Sequence, residues 1–310
     1  MLDIIIPCYN AKETLSKTLD SIKEQITQIK YNVYLVNDKS DYNYQDEVKK
    51  YSKYFPIEEI KLKKNLGPGG ARREGINHSN SEYIMFIDSD DVLYNDQSLD
   101  KLYNTCQGHD LCISNFILER DGVRVEKEKN SIWLHGKMYR RAFLEKHNIN
   151  FNDSRANEDN GFNRLILLLK PDKVYLNEPT YIYRENPNSI TRLNNRSYKI
   201  LGLEGFIYNM KWAIEEALKR GVDSFFVPYL STSTLISMYY DYLYNIKLDN
   251  VDLILKYSKE LLPYYLDYDK VSEDVFKDLS DFKIADMKQE KKEYEKVISF
   301  DEFIEKVKDY

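Results

Sequence analysis

Residues 83–91 read YIMFIDSDD, an apolar run that ends abruptly in Asp88, Ser89, Asp90 and Asp91. Carboxylates at the carboxyl end of a buried strand border the crevice where open α/β sheets bind ligands. A hard divalent cation holding phosphates needs oxygens of this kind. The chemistry indicated is that of a nucleotide. Three other segments carry polar groups at the end of an apolar or extended run: Pro7-Cys8-Tyr9-Asn10, Asn37-Asp38, and Asn65 through Arg72 with Gly67, Gly69 and Gly70 between. A parallel sheet would bring all four to one crevice. Further on, Glu158-Asp159 stands early in a helix-like stretch, NEDNGF.

Positioning these groups requires an alternation of strands and helices, and the sequence has one. Residues 2–7 are an apolar run stopped by proline, and residues 11–26 carry Leu15, Leu19, Ile22 and Ile26 at helical spacing. A strand over 33–36, a polar helix to about 54 and an extended stretch over 57–62 follow. A glycine-rich turn over 65–70, a helix over 71–78 and the strand 83–87 complete the series. Such alternation predicts an α/β fold with a mostly parallel sheet and helices on both faces. After Asp91 the pattern predicts a helix over 97–106, a strand over 111–118, a hairpin at Asp121-Gly122, and helices over 137–147 and 157–169, the last ended by Pro171. From about 197 the spacing is helical throughout, which places a boundary near Asn195: residues 1–195 form the ligand-binding domain and 196–310 a C-terminal α-helical domain.

Composition narrows the function. A net charge of −6 argues against a chain whose task is to neutralise nucleic-acid phosphates. Cys8, Cys106 and Cys112 form an odd set with no CxxC pair, so neither a disulfide framework nor a zinc knuckle is indicated, and a reducing cytoplasm is the expected home. The start, MLDIIIPCYN, lacks a basic leader, and no window reaches the roughly 18–20 apolar residues that cross a bilayer. The expectation is a soluble cytoplasmic protein, at most peripheral to a membrane. In the helical domain, Trp212, Tyr239, Tyr240 and Tyr242 either pack a bundle or offer ring faces to an acceptor or to a second copy in a homo-oligomer.

Taken in order, IIIPCYNAKETLSKTLDSI, VNDKSD, NLGPGGARREGI, YIMFIDSDD and NEDNGF resemble family 2 glycosyltransferases of the GT-A fold, over about residues 1–195. The resemblance implies a Rossmann-like GT-A domain that takes a nucleotide sugar, most simply a UDP-sugar. Pro7, Tyr9 and Asn10 would line the donor site, with the Tyr9 ring against uracil and Asp38 accepting the base's imide N–H. Asn65 and Gly67 would allow close approach of backbone, and Arg72 would reach base or phosphate oxygens. Asp88 would meet the ribose, with Ser89 also in the donor site, and Asp90, with Asp88, would ligate Mn²⁺ or Mg²⁺. His135 is a candidate third ligand, and Lys137 a group near the donor. Arg184 and Ser189, in YIYRENPNSIT, match a segment that closes over the diphosphate. Asp159 matches the general base and Glu158 the residue orienting it, for an inverting transfer to an acceptor hydroxyl of a cell-surface polysaccharide or other glycoconjugate. Asn37 and Arg73 depart from the usual aspartate and asparagine of the family.

Two rival readings have a basis in the residues. FIDSDDVLY superficially resembles the aspartate nucleophile motif of haloacid-dehalogenase-type phosphatases, but three strands precede it and Val92 and Leu93 follow Asp91, where that chemistry needs a nearby threonine. A sugar-nucleotide-binding protein without transfer activity would not require a base such as Asp159.

Overall fold

Strand β1 (Leu2–Cys8) is buried on both faces, which is why LDIIIPC reads as a continuous apolar run and not as an alternation. The computed structural model describes residues 1–128, 132–186, 196–245, 251–265, 277, 280, 283–284 and 294–310. The chain divides into two compact units, Met1–Leu193 and Asn194–Tyr310.

In the first unit β1 pairs in parallel with β2 (Tyr31–Asn37) and β4 (Tyr83–Phe86), and β2 pairs in parallel with β3 (Ile57–Lys61). Beyond β4 the sheet becomes mixed. Strand β8 (Lys137–Arg140) runs antiparallel to both β4 and β6 (Leu111–Arg120), while β6 is parallel to β9 (Lys173–Tyr183), whose far end pairs antiparallel with β5 (Val92–Leu93). The order is β3-β2-β1-β4-β8-β6-β9-β5, with β7 (Val123–Lys127) hanging from β6. Asp121 and Gly122 join β6 to β7 with φ of 52° and 72°, the double positive φ of a type I′ hairpin.

Helices cover both faces. Helices α1 (Leu15–Lys23) and α4 (Ser98–Cys106) bury Leu15, Leu19, Leu99 and Leu102 in one core with Leu2, Ile4, Ile6 and Met85. Helix α2 (Gln45–Tyr51) adds Tyr51 to it. Helix α3 (Gly67–His78) lies on the other face, where a Cβ at Gly75 would come within 2.4 Å of Ile5 Cγ2; only glycine lets helix and strand meet this closely. Helix α6 (Glu158–Leu168) shares that face, because Phe162 stacks on Phe151 at 4.1 Å and meets Phe86, the β4 neighbour of Ile5, edge-on.

Several elements differ from the sequence-based expectation, which had no counterpart for β5 or β9. Helix α3 begins at Gly67, four residues early, with Pro68 in its first turn, where the missing N–H costs nothing. Residues 137–140 are strand β8, and the helix α5 (Arg141–Lys146) starts only after it. The strand sits between two neighbours with Lys137, Met138 and Tyr139 all buried, so its pattern carries no period of two.

The second unit is helical: α7 (Arg196–Lys219), α8 (Phe226–Asn245), α9 (Val251–Lys259) and α10 (Phe300–Asp309). Ser299 and Glu302 form a reciprocal capping box that starts α10. Tyr239, Tyr240 and Tyr242 are buried, with Tyr239 against Phe300 and Phe303 and its hydroxyl donating to the Ile298 carbonyl at 2.7 Å. They build this unit's core and do not present faces for an acceptor or a second copy. Among the described residues no helix is long and apolar enough to cross a membrane.

Candidate active site

The acids after β4 are folded back by a tight turn in which the Asp91 N–H donates to the Asp88 carbonyl at 3.0 Å. This turn sets Asp91 beside Asp88 and directs Asp90 elsewhere. The Asp90 carboxylate accepts from Asn186 Nδ2 at 2.8 Å, with Arg184 Nη1 near its carbonyl at 3.4 Å. Asp91 is fully buried and accepts from the Tyr181 hydroxyl at 2.7 Å and the Arg184 N–H at 2.8 Å. His135 lies between the rings of Tyr181 and Tyr183, at centroid distances of 5.0 and 4.6 Å. The candidate ligand atoms of Asp88, Asp91 and His135 all lie within 4.8 Å of one another. The set expected to hold a cation is Asp90, Asp88 and His135; the structure brings Asp88 and His135 together with Asp91, while the Asp90 carboxylate meets Asn186.

The electrostatics suit a cation. Burial pushes the Asp91 carboxyl well above its usual range, with Asp88 and Asp90 adding repulsion. Burial also raises Asp90. It lowers His135 to about 4 against the pull of Asp88, so at neutral pH the imidazole is uncharged and can ligate. His135 Nδ1 is buried without a hydrogen-bond partner among the described residues. Two carboxylates and one neutral imidazole, whose Nε2 stands 3.9 Å from Asp91 Oδ2, fit Mn²⁺ well, and Mg²⁺ less well because that ion favours an all-oxygen shell.

Arg72 joins this cluster to the acidic pair on α6. It is only 4% exposed; Nη2 donates to Asp88 and Nη1 to Glu158, each at 2.6 Å. Burial would lift Asp88, but the guanidinium outweighs it and holds the carboxyl below its ordinary value. The family resemblance has Arg72 reaching a ligand; both Nη atoms are engaged by carboxylates within the protein, so it acts as a clamp. Gly69 makes room for it, since a Cβ there would stand 2.8 Å from Glu158 Cγ. Asp159, next in α6, accepts from the Asn160 N–H at 2.8 Å. Burial, followed by repulsion from Glu158, pushes its carboxyl up to about 7. Lys137 is fully buried, donates to the Trp133 carbonyl and is lowered by burial to about 7, with Asp159 pulling the other way. Its charge interacts with Asp159, not with the surface of a donor pocket.

The remaining predicted residues gather at the ends of β1, β2 and α3. The Tyr9 ring is 53% exposed, beside Pro7 at the end of β1. Asn10, at φ 51°, holds the neighbouring loop through Asp41 and Ser40. Asp38 is buried, and its two oxygens accept from the Leu66 and Gly67 N–H groups at 2.6 and 2.8 Å. Burial raises its carboxyl, partly offset by those two bonds. It therefore anchors the start of α3, where Gly67 takes φ +78°, and is not turned outward to a base. Asn65 donates to the Asp38 carbonyl at 3.1 Å and accepts from Arg155 Nη1 at 3.0 Å. Ser89 is half-buried in the acidic turn. Ser189 lies outside the described residues. Sequence reasoning missed Arg155, which no motif marks, and Tyr181, which opens YIYRENPNSIT but was given no role there.

Residues 3–156 match the family model described as Glycosyl transferase family 2. The chain belongs to that family. It is 30% identical over 219 residues to the poly(ribitol-phosphate) beta-N-acetylglucosaminyltransferase TarP of Staphylococcus aureus (strain N315), an overlap of 63% of this chain and 65% of TarP. The chain spans 32%, 63% and 65% of the lengths of three curated relatives it matches. Its fold is similar to that of S. aureus TarS 1-349 in complex with UDP-GlcNAc, with a TM-score of 0.68 at 15% identity over 95% of this chain and 93% of that one. It is also similar to the mannosyltransferase PcManGT from Pyrobaculum calidifontis in complex with GDP-Man and Mn²⁺, with a TM-score of 0.54 at 12% identity over 92% and 85% of the two chains. The shared architecture is the GT-A fold, which also rules out the phosphatase reading of FIDSDD.

Proposed function

We propose that this chain transfers a sugar from a UDP-linked donor to a hydroxyl group of a cell-surface polymer, in a cation-dependent reaction that inverts the anomeric centre. The observation that carries the proposal is the pairing of two centres through one buried arginine: Asp88, Asp91 and His135 on one side of Arg72, Glu158 and Asp159 on the other. TarP is named for N-acetylglucosaminyl transfer to poly(ribitol phosphate) and TarS was solved with UDP-GlcNAc, which supports a UDP-linked donor and an anionic polymer as the first acceptor to test.

Asp88, Asp91 and His135 would hold Mn²⁺, which when bound supplies positive charge for the departing nucleoside diphosphate. Tyr9, exposed at the end of β1, offers its ring to the uracil. Asp159, held near neutrality by burial, takes the proton of the acceptor hydroxyl as its oxygen attacks the anomeric carbon. The carbon–oxygen bond to the diphosphate breaks in the same displacement, so configuration inverts. Glu158, fixed by Arg72, raises the proton affinity of Asp159 and so suits it to this task. Arg184, whose backbone N–H and Nη1 reach Asp91 and the Asp90 carbonyl, would stand beside the diphosphate.

A panel of nucleotide sugars with Mn²⁺, read by UDP release and by thermal stabilisation, tests the reading. UDP-sugars are expected to stabilise the protein and to be turned over with a polyol-phosphate acceptor. A panel in which no UDP-sugar binds would contradict the donor class. Binding without transfer under all acceptors would favour the alternative of a sugar-nucleotide binder, and a product of retained configuration would contradict inversion.

A further inference from the structure

The Tyr181 phenol touches three parts of the acidic cluster at once. Its hydroxyl accepts from the Asp88 N–H at 3.1 Å and donates to the Asp91 carboxylate at 2.7 Å, while its ring stacks on His135 at 5.0 Å and 25°. The residue is 1% exposed, so its conformation is set by packing and not by solvent. It stands on β9, and its register partner is Phe116 of β6, which in turn meets His135 at 5.4 Å. Two adjacent strands therefore present one rigid wall to the imidazole. Tyr183, two residues along the same strand, stacks a second ring on the imidazole at 4.6 Å.

We propose that Tyr181 is a positioning residue of the cation site, with its hydroxyl fixing the Asp91 carboxylate and the Asp88 backbone and its ring fixing the plane of His135. The inference rests on the cation-dependent reading given above. A carboxylate free to rotate presents its oxygens to an ion only part of the time; here Tyr181 holds Oδ2, the oxygen that faces His135 Nε2 at 3.9 Å, while the Arg184 N–H holds Oδ1, so the group cannot turn and a remaining lone pair of Oδ2 stays directed at the cluster. Outer groups that orient metal ligands typically govern metal affinity by 10–100-fold. Tyr181 meets this description for Asp91 and, through the backbone, for Asp88. Nothing in the sequence motif marks it, because the acids it serves are about ninety positions away, as the spacing of Tyr181 and Asp91 shows.

The test is Mn²⁺ binding to the full chain without nucleotide, followed by electron paramagnetic resonance of the free ion, for wild type and Tyr181→Phe. The substitution keeps the stacking ring and removes one oxygen. The expected result is an Mn²⁺ dissociation constant raised about 10–100-fold, with the melting temperature of the metal-free protein lowered only slightly. Equal Mn²⁺ affinity in the two proteins overturns the inference and leaves the transferase reading standing. A wild-type protein that takes up no Mn²⁺ overturns the cation reading itself, and this inference with it. A second comparison separates positioning from general stability: adding Tyr181→Phe to Asp91→Asn should change Mn²⁺ affinity by no more than about threefold, because the Asp91 part of the hydroxyl's role is already gone and only its bond from the Asp88 N–H remains. A further tenfold loss in that background contradicts this route. If Tyr181→Phe alone does not fold, the comparison is made in an Asp90→Asn background, which relieves part of the repulsion on Asp91 and keeps its carboxylate, with the same expected loss of Mn²⁺ affinity and the same overturning result.

Discussion

Replacing Asp159 with asparagine should stabilise the protein at alkaline pH and abolish most of its activity, and both effects follow from one carboxyl group. Its pKa is pushed from 3.8 to about 7, by burial first and by Glu158 second. Between those values the folded state holds a proton that the unfolded chain has released. The native state therefore loses stability as pH rises through this window and gains none back above it. Each pKa unit corresponds to about 1.36 kcal/mol, so from about pH 5 to pH 7 the wild-type protein forfeits about 3 kcal/mol at this site. The asparagine side chain of Asp159→Asn would have the shape of the protonated acid and no titration. Urea unfolding of both proteins at a series of pH values should show the variant's advantage widening by about 3 kcal/mol between about pH 5 and pH 8, then levelling off. Transfer by the wild-type enzyme should rise over the same interval, as the base loses its proton, while the variant falls about 10²–10⁴-fold below it. A stability difference that is flat across pH, or that narrows as pH rises, would refute the argument that this carboxyl is held protonated by its surroundings.

Other substitutions probe the supports of the site. Arg72→Met removes the common partner of Asp88 and Glu158 and leaves the buried Glu158 carboxylate, and the half-buried Asp88, without it, which should cost up to about 3–5 kcal/mol in urea unfolding. Gly69→Ala places a methyl group against Glu158 Cγ and should lose about 1–3 kcal/mol, with a lower kcat measured by UDP release. In the second unit, Ser299→Ala breaks the capping box of α10 and should cost about 1 kcal/mol, read as a lower melting temperature by circular dichroism.

The parallel half of the sheet was legible because β1, β2 and β4 are buried on both sides and end in polar groups, so each reads as an apolar run with a sharp stop. Strand β8 was not, because a strand whose lysine is buried offers neither an alternation nor a clean apolar run. Strand β9 was hidden as well: its first half is largely exposed, Pro179 interrupts it, and its pairing with β6 shifts register near Asn115. The site shows the same division. Residue types and order along the chain marked the acids after β4 and the pair at Glu158-Asp159, since these sit where strands and helices end. Which acid faces which partner depends on the turn from Asp88 to Asp91, and linear spacing cannot show that one residue of a DSDD run turns away. Arg72 was singled out from its position at the glycine turn, yet its partners lie 16 and 86 residues away, and only the fold brings a clamp out of a would-be ligand contact. The buried tyrosines of α8 were ambiguous for a related reason, because the helix packs on several sides and its apolar residues do not settle into one stripe.

The most direct test of the account is anomalous diffraction at the manganese edge from crystals grown with Mn²⁺ and UDP. One ion should lie within bonding distance of His135 and of an oxygen of Asp88 or Asp91, in contact with the diphosphate. An ion bound only through Asp90, or a UDP complex in which this cluster holds no manganese, would contradict it.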